Sequence, residues 1–161
     1  MSNVLVIFQA DTESTERLAL AVGVGAVEAE GSIRLRRLTT AGAPEVGHKG
    51  YGKLQAADLL WAHTIVVGLE SPRPRAAELE GLVSLLSEAD PGELDGKQAW
   101  TFRAEGLVTE RSEAQVLVES AFQVAGVVVL PAAILHFAVG QEMLEQMKEA
   151  GRMSARINQT K

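Results

Sequence analysis

Short apolar runs alternate with amphipathic helical patterns along most of this chain, and this alternation restricts the fold more than any other feature. Residues 3–9, NVLVIFQ, are almost continuously apolar, which is typical of a strand that is buried on both faces. In the segment that follows, Leu18, Val22 and Ala26 recur at helical spacing, and Gly31 is a suitable stop signal. Residues 3–31 are therefore predicted to form a strand and a helix, the repeating unit of proteins with a parallel sheet.

The same signals predict four more strands and three more helices. Residues 32–38, SIRLRRL, alternate between apolar and basic side chains, as expected of a half-exposed strand at a sheet edge. The other predicted strands lie around 64–68, at 98–106 and at 126–131. The first of the three predicted helices lies at 74–88. The second begins at a capping box formed by Ser112 with Gln115, and the third lies around 143–157. The second of these is predicted to turn one face to the core, made of Ala114, Leu117, Val118, Ala121 and Phe122. Residues 39–58 contain four glycines and one proline and are predicted to form a loop.

These elements predict an α/β fold in which a doubly wound, five-stranded parallel sheet carries helices on both faces. The apolar strand 3–9 suits the centre of the sheet and the alternating strand 32–38 suits its edge, so we expect the strand order 2-1-3-4-5. The chain has 161 residues, the length of one domain, and we expect that domain to span residues 1–161. Ligands of such sheets bind at the carboxyl ends of strands one and three, where the strand order reverses.

Composition and charge exclude several classes of function. The chain has no cysteine, which rules out disulfides, thiolate metal ligands and cysteine nucleophiles. Its formal net charge of −6 argues against sequence-independent binding of nucleic acid, because that binding depends on neutralising phosphates. The longest apolar run, 124–140, contains Pro131 and His136 and is shorter than the roughly 20 residues of a membrane span. No signal-peptide pattern is present, so we expect a cytoplasmic protein that does not insert into a membrane.

Three predicted loops meet at the carboxyl end of the sheet, at residues 9–15, 69–75 and 103–111. The first places the hydroxyl groups of Thr12, Ser14 and Thr15 where a helix begins, and the N–H groups at a helix start bind anions such as phosphate. Asp11 and Glu13 in the same loop repel an anion. Ordinary capping of the helix by Thr12 or Ser14 also explains the hydroxyl groups, and on the spacing alone it is favoured over a phosphate site.

Several motifs, taken in order, resemble those of flavodoxin-like proteins through most of the chain. The segment DTESTERLA (11–19) resembles the flavodoxin phosphate loop, T-G-N-T, in which Thr12 and Thr15 match the threonines and Ser14 stands where asparagine is usual. The segment IVVGLESPRPRAAELEGLVSLL (65–86) is similar to the one that holds the flavin ring. The later motifs GKQAWTFRAEG (96–106), GVVVLP (126–131) and MKEAGRMSARI (147–157) resemble the last strands and the closing helix. The likeness is closest to NAD(P)H:quinone oxidoreductases of the tryptophan-repressor-binding-protein type and to NADPH-dependent FMN reductases.

This resemblance implies flavin mononucleotide (FMN) as cofactor and a set of residues that bind it. The residues implied for the phosphate are Ala10, Thr12, Glu13, Ser14 and Thr15. Those implied for the flavin ring are Glu70, Ser71, Pro72, Arg73, Ala104, Glu105 and Gly106. The family also implies NAD(P)H as electron donor, a quinone or similar small molecule as acceptor, and a homo-oligomer. The apolar residues 132–140 are a candidate surface for that assembly.

Departures from the family pattern keep a second hypothesis open. Glu13 replaces the glycine of the phosphate loop, residues 69–75 lack an aromatic side chain, and Ala104 and Glu105 replace a common Ser-Thr pair. The chain is then either an FMN-dependent oxidoreductase or a flavodoxin-like domain that does not bind flavin and acts as an interaction or structural module. A receiver domain would need an aspartate after the third strand and a lysine after the fifth, and a Rossmann fold would need G-x-G-x-x-G after the first strand; these patterns are missing.

Overall fold

The computed structural model of the chain describes residues 2–9, 13–38, 52–69, 76–103, 113–131, 133–134 and 141–157. The strands of this part are β1 (Asn3–Phe8), β2 (Ser32–Arg37), β3 (Gly52–Lys53), β4 (Thr64–Leu69), β5 (Gln98–Arg103), β6 (Val128–Val129) and β7 (Ala133–Ile134). The helices are α1 (Glu13–Glu28), α2 (Ala56–Trp61), α3 (Ala76–Glu88), α4 (Glu113–Val124) and α5 (Gln141–Ile157).

The strands form one parallel sheet in the order β3-β2-β1-β4-β5-β6, and β7 also pairs with β5. β6 pairs with the start of β5 and β7 with its end, so the two short strands together occupy the place of the predicted fifth strand. The predicted strand order 2-1-3-4-5 and the α/β fold class are therefore confirmed. The predicted strand 126–131 is interrupted at Pro131, which has no N–H group to donate to β5.

Helices cover both faces of the sheet and divide the side chains of β1 between two cores. Val4, Val6 and Phe8 pack with α1 and α5 on one face, whereas Leu5 and Ile7 pack with α3 and α4 on the other. All five side chains are fully buried, as the unbroken apolar run predicted. The helices on the two faces hold the ends of the strands in place, and the predicted binding loops follow these strand ends along the chain.

Helices α1 and α5 approach each other more closely than most side chains would permit. Gly25 of α1 lies against the backbone carbonyl group of Lys148, and Gly151 of α5 lies against that of Val22. A Cβ atom at either glycine would overlap the opposite backbone. The two glycines therefore determine the separation of these helices, which together cover one face of the sheet.

Residues 52–61 correct the prediction of a loop over 39–58. Gly52–Lys53 form β3, which pairs with the last two residues of β2, and Ala56–Trp61 form α2. Residues 32–38 were predicted to lie at the sheet edge, and β3 covers only the end of that strand. Residues 39–51 lie outside the described part of the chain.

Helix α2 is attached to β2 by the buried carboxylate of Asp58. It accepts hydrogen bonds from Arg34 Nη1 at 3.1 Å, from Arg36 Nε at 3.0 Å and from the Gln55 N–H group at 2.9 Å. The Arg34 guanidinium group also lies 4.3 Å from the centre of the Trp61 ring, which is a cation–π contact. The sequence prediction missed α2 because the helix is short and its stabilising partners lie on a different element.

The buried face of α4 agrees with the prediction at Ala114, Val118, Ala121 and Phe122 and differs from it at Leu117. Leu117 was predicted to face the core but is 40% exposed, whereas Gln115 and Glu119 are buried with Ala114 and Phe122. Ser112 of the predicted capping box lies outside the described residues. The helix is rotated so that two polar side chains, rather than Leu117, face β5.

Candidate functional site

The carboxyl ends of β1, β4 and β5 lie side by side, and each is followed along the chain by one of the three predicted binding loops. Phe8 is paired with Gly68, and Leu69 with Arg103. Most predicted site residues lie outside the described part of the chain, namely Ala10, Thr12, Glu70, Ser71, Pro72, Arg73, Ala104, Glu105 and Gly106. Glu13 and Ser14 are the first residues of α1, and Thr15 is the one predicted site residue whose side chain is described. The structure therefore brings together the strand ends that precede the three loops.

The junction between β1 and α1 contains a buried hydroxyl group without a hydrogen-bond partner. Thr15 lies in the first turn of α1 and is fully buried, and its Oγ1 makes no hydrogen bond within the described residues. The N–H groups of a first helical turn also lack partners inside the helix. Leaving a buried hydroxyl unpaired costs about 1–3 kcal/mol, which a bound acceptor would offset. These donors fit the phosphate group that the sequence resemblance implies.

The strand ends beneath the second and third loops are closely packed. The ring of Phe102 on β5 occupies the space where a Cβ atom of residue 68 would lie, so any larger residue at this position of β4 would force the ring to shift. Leu69 is fully buried and Arg103 is 2% exposed. The two loops therefore leave the sheet from a rigid, mainly apolar floor that holds one buried guanidinium group. Arg73 was the arginine predicted for the site, and Arg103 was not predicted because nothing in its spacing distinguishes it from an exposed residue.

A polar chain of three buried side chains joins β5 to α4 on the face opposite Phe102. Gln115 Nε2 donates to Thr101 Oγ1 at 3.1 Å, and Thr101 Oγ1 donates to Glu119 Oε2 at 2.9 Å. Thr101 and Gln115 are fully buried and Glu119 is 7% exposed. Because buried polar groups must be paired, this chain determines how α4 packs on the strand that ends at the third loop.

The described histidine and a partly buried lysine lie at the opposite end of the sheet. His63 precedes β4, and its Nδ1 accepts a hydrogen bond from the Asn3 N–H group at 2.9 Å. Burial and the charge of Lys97 lower the pKa of His63. Lys97 Nζ donates to the carbonyl groups of Leu60 and Ala62 at the end of α2, and burial lowers its pKa. These groups therefore have a structural role at the amino end of the sheet.

The described residues contain no group of three or more metal-ligating side chains that would hold a metal ion. None of the helices in the described ranges combines the length and the apolar composition that a bilayer crossing requires.

Comparison with known proteins identifies the architecture. No protein-family model and no curated protein matches the sequence. Solved structures do match. A flavodoxin from the domain Archaea is 17% identical with a TM-score of 0.69, covering 98% of this chain and 99% of that one. Oxidised Flavodoxin 1 from Bacillus cereus is 18% identical with a TM-score of 0.71, covering 96% and 98%.

A WrbA-like flavodoxin from Agrobacterium tumefaciens is also 18% identical with a TM-score of 0.71, and the match covers 99% of each chain. The matches extend over nearly the full length of both partners, as the motif order in the sequence predicted. At these identities the shared property is the architecture: the chain has the flavodoxin-like fold.

Proposed function

We propose that this protein binds FMN and is a flavoprotein oxidoreductase. The observation that carries the proposal is the buried, unpaired Thr15 hydroxyl group at the start of α1. It lies directly after the central strand β1, beside the point where the strand order reverses. In sheets of this topology that point is where ligands bind. Solved structures described as flavodoxins share this architecture, which adds support.

In this proposal the start of α1 binds the phosphate group. The Thr15 hydroxyl and the unpaired N–H groups of the first turn are the donors, with Thr12 and Ser14 beside them in sequence. Asp11 and Glu13 oppose an anion, but a carboxylate several ångströms away costs only on the order of 1 kcal/mol in water-like surroundings. Two or three charge-assisted hydrogen bonds outweigh that cost, since each contributes about 1.5–3 kcal/mol.

The flavin ring is proposed to lie over the ends of β4 and β5, between residues 70–73 and 104–106. The close packing of Gly68 on Phe102 and the polar chain through Thr101 hold these strand ends in place. Bound FMN supplies reversible electron transfer, and the protein binds and orients it. Since residues 69–75 lack an aromatic side chain, we propose that one face of the ring is open to a second substrate.

An open ring face suits NAD(P)H as electron donor and a quinone or similar planar molecule as acceptor. We propose this activity for the protein, together with a cytoplasmic location and a homo-oligomeric assembly, as the sequence resemblance implied. The alternative remains a flavodoxin-like domain that does not bind flavin and acts as an interaction module. The changed residues Glu13, Ala104 and Glu105 favour that alternative.

Titration with FMN and riboflavin tests the proposal. We expect wild-type protein to bind FMN and to remain yellow after gel filtration. Thr15→Val should weaken FMN binding about 10- to 100-fold, because one hydrogen bond to a charged group is lost. It should leave riboflavin binding unchanged, since riboflavin lacks the phosphate. Thr64→Val is the matched control, because Thr64 is also a fully buried threonine but begins β4 at the other end of the sheet.

Failure of the wild-type protein to bind FMN would overturn the proposal and favour the interaction module. For protein that does bind FMN, anaerobic mixing with NADH or NADPH tests the finer activity. Rapid bleaching of the flavin, reversed by a quinone, is expected. Bleaching by dithionite but by neither nucleotide would contradict the proposed electron donor while leaving FMN binding intact.

A further inference from the structure

The edge strand β2 carries three arginines, and one of them faces away from the other two. Arg34 and Arg36 both bind the carboxylate of Asp58, at 3.1 Å and 3.0 Å. Residues two apart in a strand lie on the same face of the sheet, and consecutive residues lie on opposite faces. Arg37 directly follows Arg36 and therefore lies on the face opposite to Asp58, where it is partly buried.

That opposite face is the one covered by helix α1. Arg37 is paired in register with Phe8 of β1, whose fully buried side chain packs against α1. A Cβ atom added at Gly23 of α1 would lie 3.1 Å from Ile33 Cδ1 and 3.6 Å from Leu35 Cδ2 of β2. Helix α1 therefore covers β2 as well as β1, on the face to which Arg37 belongs.

The start of α1 lies level with Arg37. A helix that joins two parallel strands runs back along them, so residues that precede Gly23 in α1 lie over residues that follow Leu35 in β2. Thr15 precedes Gly23 by eight residues, or about 12 Å of helix. Arg37 follows Ile33 by four residues and Leu35 by two, or roughly 7–13 Å of strand. Arg37 therefore lies beneath the first turn of α1, where the buried Thr15 hydroxyl makes no hydrogen bond within the described residues.

We propose that Arg37 is a further residue of the phosphate site at the start of α1 and that it selects FMN over uncharged riboflavin. The inference rests on the proposed function, but the residues that the family resemblance implied all come from the three loops, and Arg37 lies on β2. A phosphate monoester carries a charge of about −1.5 to −2 at pH 7. The first turn of α1 offers uncharged donors, with Asp11 and Glu13 beside them in sequence. The guanidinium group of Arg37 adds the positive charge and the paired N–H donors that match phosphate oxygens.

Titration of the whole protein with FMN and riboflavin tests the role of Arg37. Arg37→Gln should weaken FMN binding about 10-fold or more, because charge-assisted hydrogen bonds are lost, and should leave riboflavin binding unchanged. Arg37→Lys keeps the charge but not the paired donors, so its FMN affinity should lie between those of the wild type and Arg37→Gln. Arg17→Gln is the matched control, since Arg17 lies near the same end of α1 but is exposed. It should change FMN affinity less than about twofold, because exposed charges interact weakly.

Inorganic phosphate separates this inference from the proposed function. In the absence of flavin, phosphate should raise the unfolding temperature of the wild type above its value in chloride at equal ionic strength, because a ligand of the folded state stabilises it. The rise should be lost in Arg37→Gln and kept in Arg17→Gln. If phosphate acts in this way on protein that does not bind FMN, the inference holds and the proposed function fails.

FMN binding that is unchanged by Arg37→Gln would overturn the inference and leave the proposed function intact. Equal losses of FMN and riboflavin affinity would also overturn it, because they would assign Arg37 a purely structural role. If Arg37→Gln does not fold, Arg37→Lys decides: weaker FMN binding with unchanged riboflavin binding supports the inference, and unchanged FMN binding overturns it. Wild-type protein that neither binds FMN nor is stabilised by phosphate would overturn both proposals.

Discussion

At the scale of single residues, Gly68 shows how one position limits what the strand ends beneath the proposed cofactor can contain. It lies in β4 next to Phe102 of β5, whose ring occupies the space of the missing side chain. Phe102 is fully buried and its ring centre lies 6.2 Å from that of Trp100. The ring therefore has little room to move, and the strand ends stay in a fixed relation.

Gly68→Ala is expected to destabilise the protein by about 1–3 kcal/mol, the usual cost of overpacking a core. The control is Gly81→Ala, since Gly81 lies in α3 and a Cβ atom added there would have no neighbouring atom within 4 Å. That change should stabilise by about 0.5–1 kcal/mol, because alanine favours a helix. Chemical denaturation measures both values. A Gly68→Ala protein as stable as the wild type would show that the ring adjusts easily.

Glu13 is the residue at which the proposed phosphate site can be improved. It opens α1, where the N–H groups and the Thr15 hydroxyl are proposed to bind the phosphate. Glu13→Gly restores the residue usual in the resembling family and removes a negative charge worth about 1 kcal/mol, so FMN should bind roughly fivefold more tightly. Glu13→Gln removes the charge without adding the backbone freedom of glycine, so it measures the effect of the charge alone. The gain in FMN affinity should shrink at high salt, because salt screens the charge. Equal affinities of all three proteins would mean that residue 13 points away from the phosphate.

At the scale of elements, Asp58 decides whether α2 and β2 remain joined. Burial opposes ionisation of its carboxyl group, but hydrogen bonds from Gln55, Arg36 and Arg34 outweigh burial, and the pKa of Asp58 is lowered. Its contribution to stability is therefore complete above its ordinary pKa of about 3.8 and is lost as the pH falls through the lower folded value.

Asp58→Asn should reduce the free energy of unfolding at pH 7 by about 1–3 kcal/mol, because two half-buried arginines lose their acceptor charge. The difference from the wild type should narrow as the pH falls below 4. Denaturant titrations at several pH values measure it. A constant difference from pH 7 to pH 2 would show that the ionised carboxylate is not what joins the two elements.

His63, like Asp58, is a titratable side chain whose hydrogen bond joins two elements, here β1 and β4 where they begin. Its Nδ1 accepts the Asn3 N–H group, so protonation of that nitrogen breaks the hydrogen bond. Since burial and Lys97 lower its pKa, the neutral form is favoured in the folded protein. The stability that it contributes is present above about pH 6.5, the unfolded pKa, and is lost as the pH falls through the folded pKa.

His63→Asn keeps an acceptor near this position but cannot titrate. We therefore expect the wild type to lose stability between pH 7 and pH 5 by an amount that the variant does not lose. An NMR titration of the wild type should also give a pKa for His63 below its ordinary value of 6.5. A His63 pKa at its ordinary value, or the same dependence of stability on pH in both proteins, would show that His63 does not have this role.

At the scale of the whole molecule, burial is highest along the central strands and declines toward both sheet edges. All described residues of β4 are buried, as are Val4 to Phe8 of β1, whereas every residue of β2 is partly exposed. At the other edge, Val128 of β6 is exposed and Val129 is partly exposed. Local opening follows low burial, so the edges should open without the centre.

Hydrogen exchange is expected to be slowest for the amides of β1 and β4, which open only when the whole protein unfolds. Exchange at β6 and at α2 should be faster and less sensitive to denaturant, since these short elements open locally. Exchange followed by mass spectrometry or NMR tests this order. Equal protection of α2 and β4 would show that the Asp58 contacts join α2 to the central cooperative unit.

Local sequence patterns were sufficient to predict the parallel α/β architecture, because strands covered on two faces need apolar side chains at every position. The continuous apolar run of β1 predicted that this strand lies at the centre of the sheet. The alternation of apolar and basic residues in β2 predicted that this strand lies near the edge. The residues of α1 that face the core were predicted for the same reason, since helical spacing is also a local property.

Which polar side chains lie inside depends instead on how distant segments pack. Asp58 is buried because Arg34 and Arg36 of another element meet it, and Glu119 is buried because Thr101 lies opposite. A carboxylate avoids the interior unless a partner compensates the loss of water, and such partners come together only in the folded chain. Helical spacing therefore predicted a buried Leu117, whereas the contact of Glu119 with Thr101 turns α4 so that Leu117 lies at the surface.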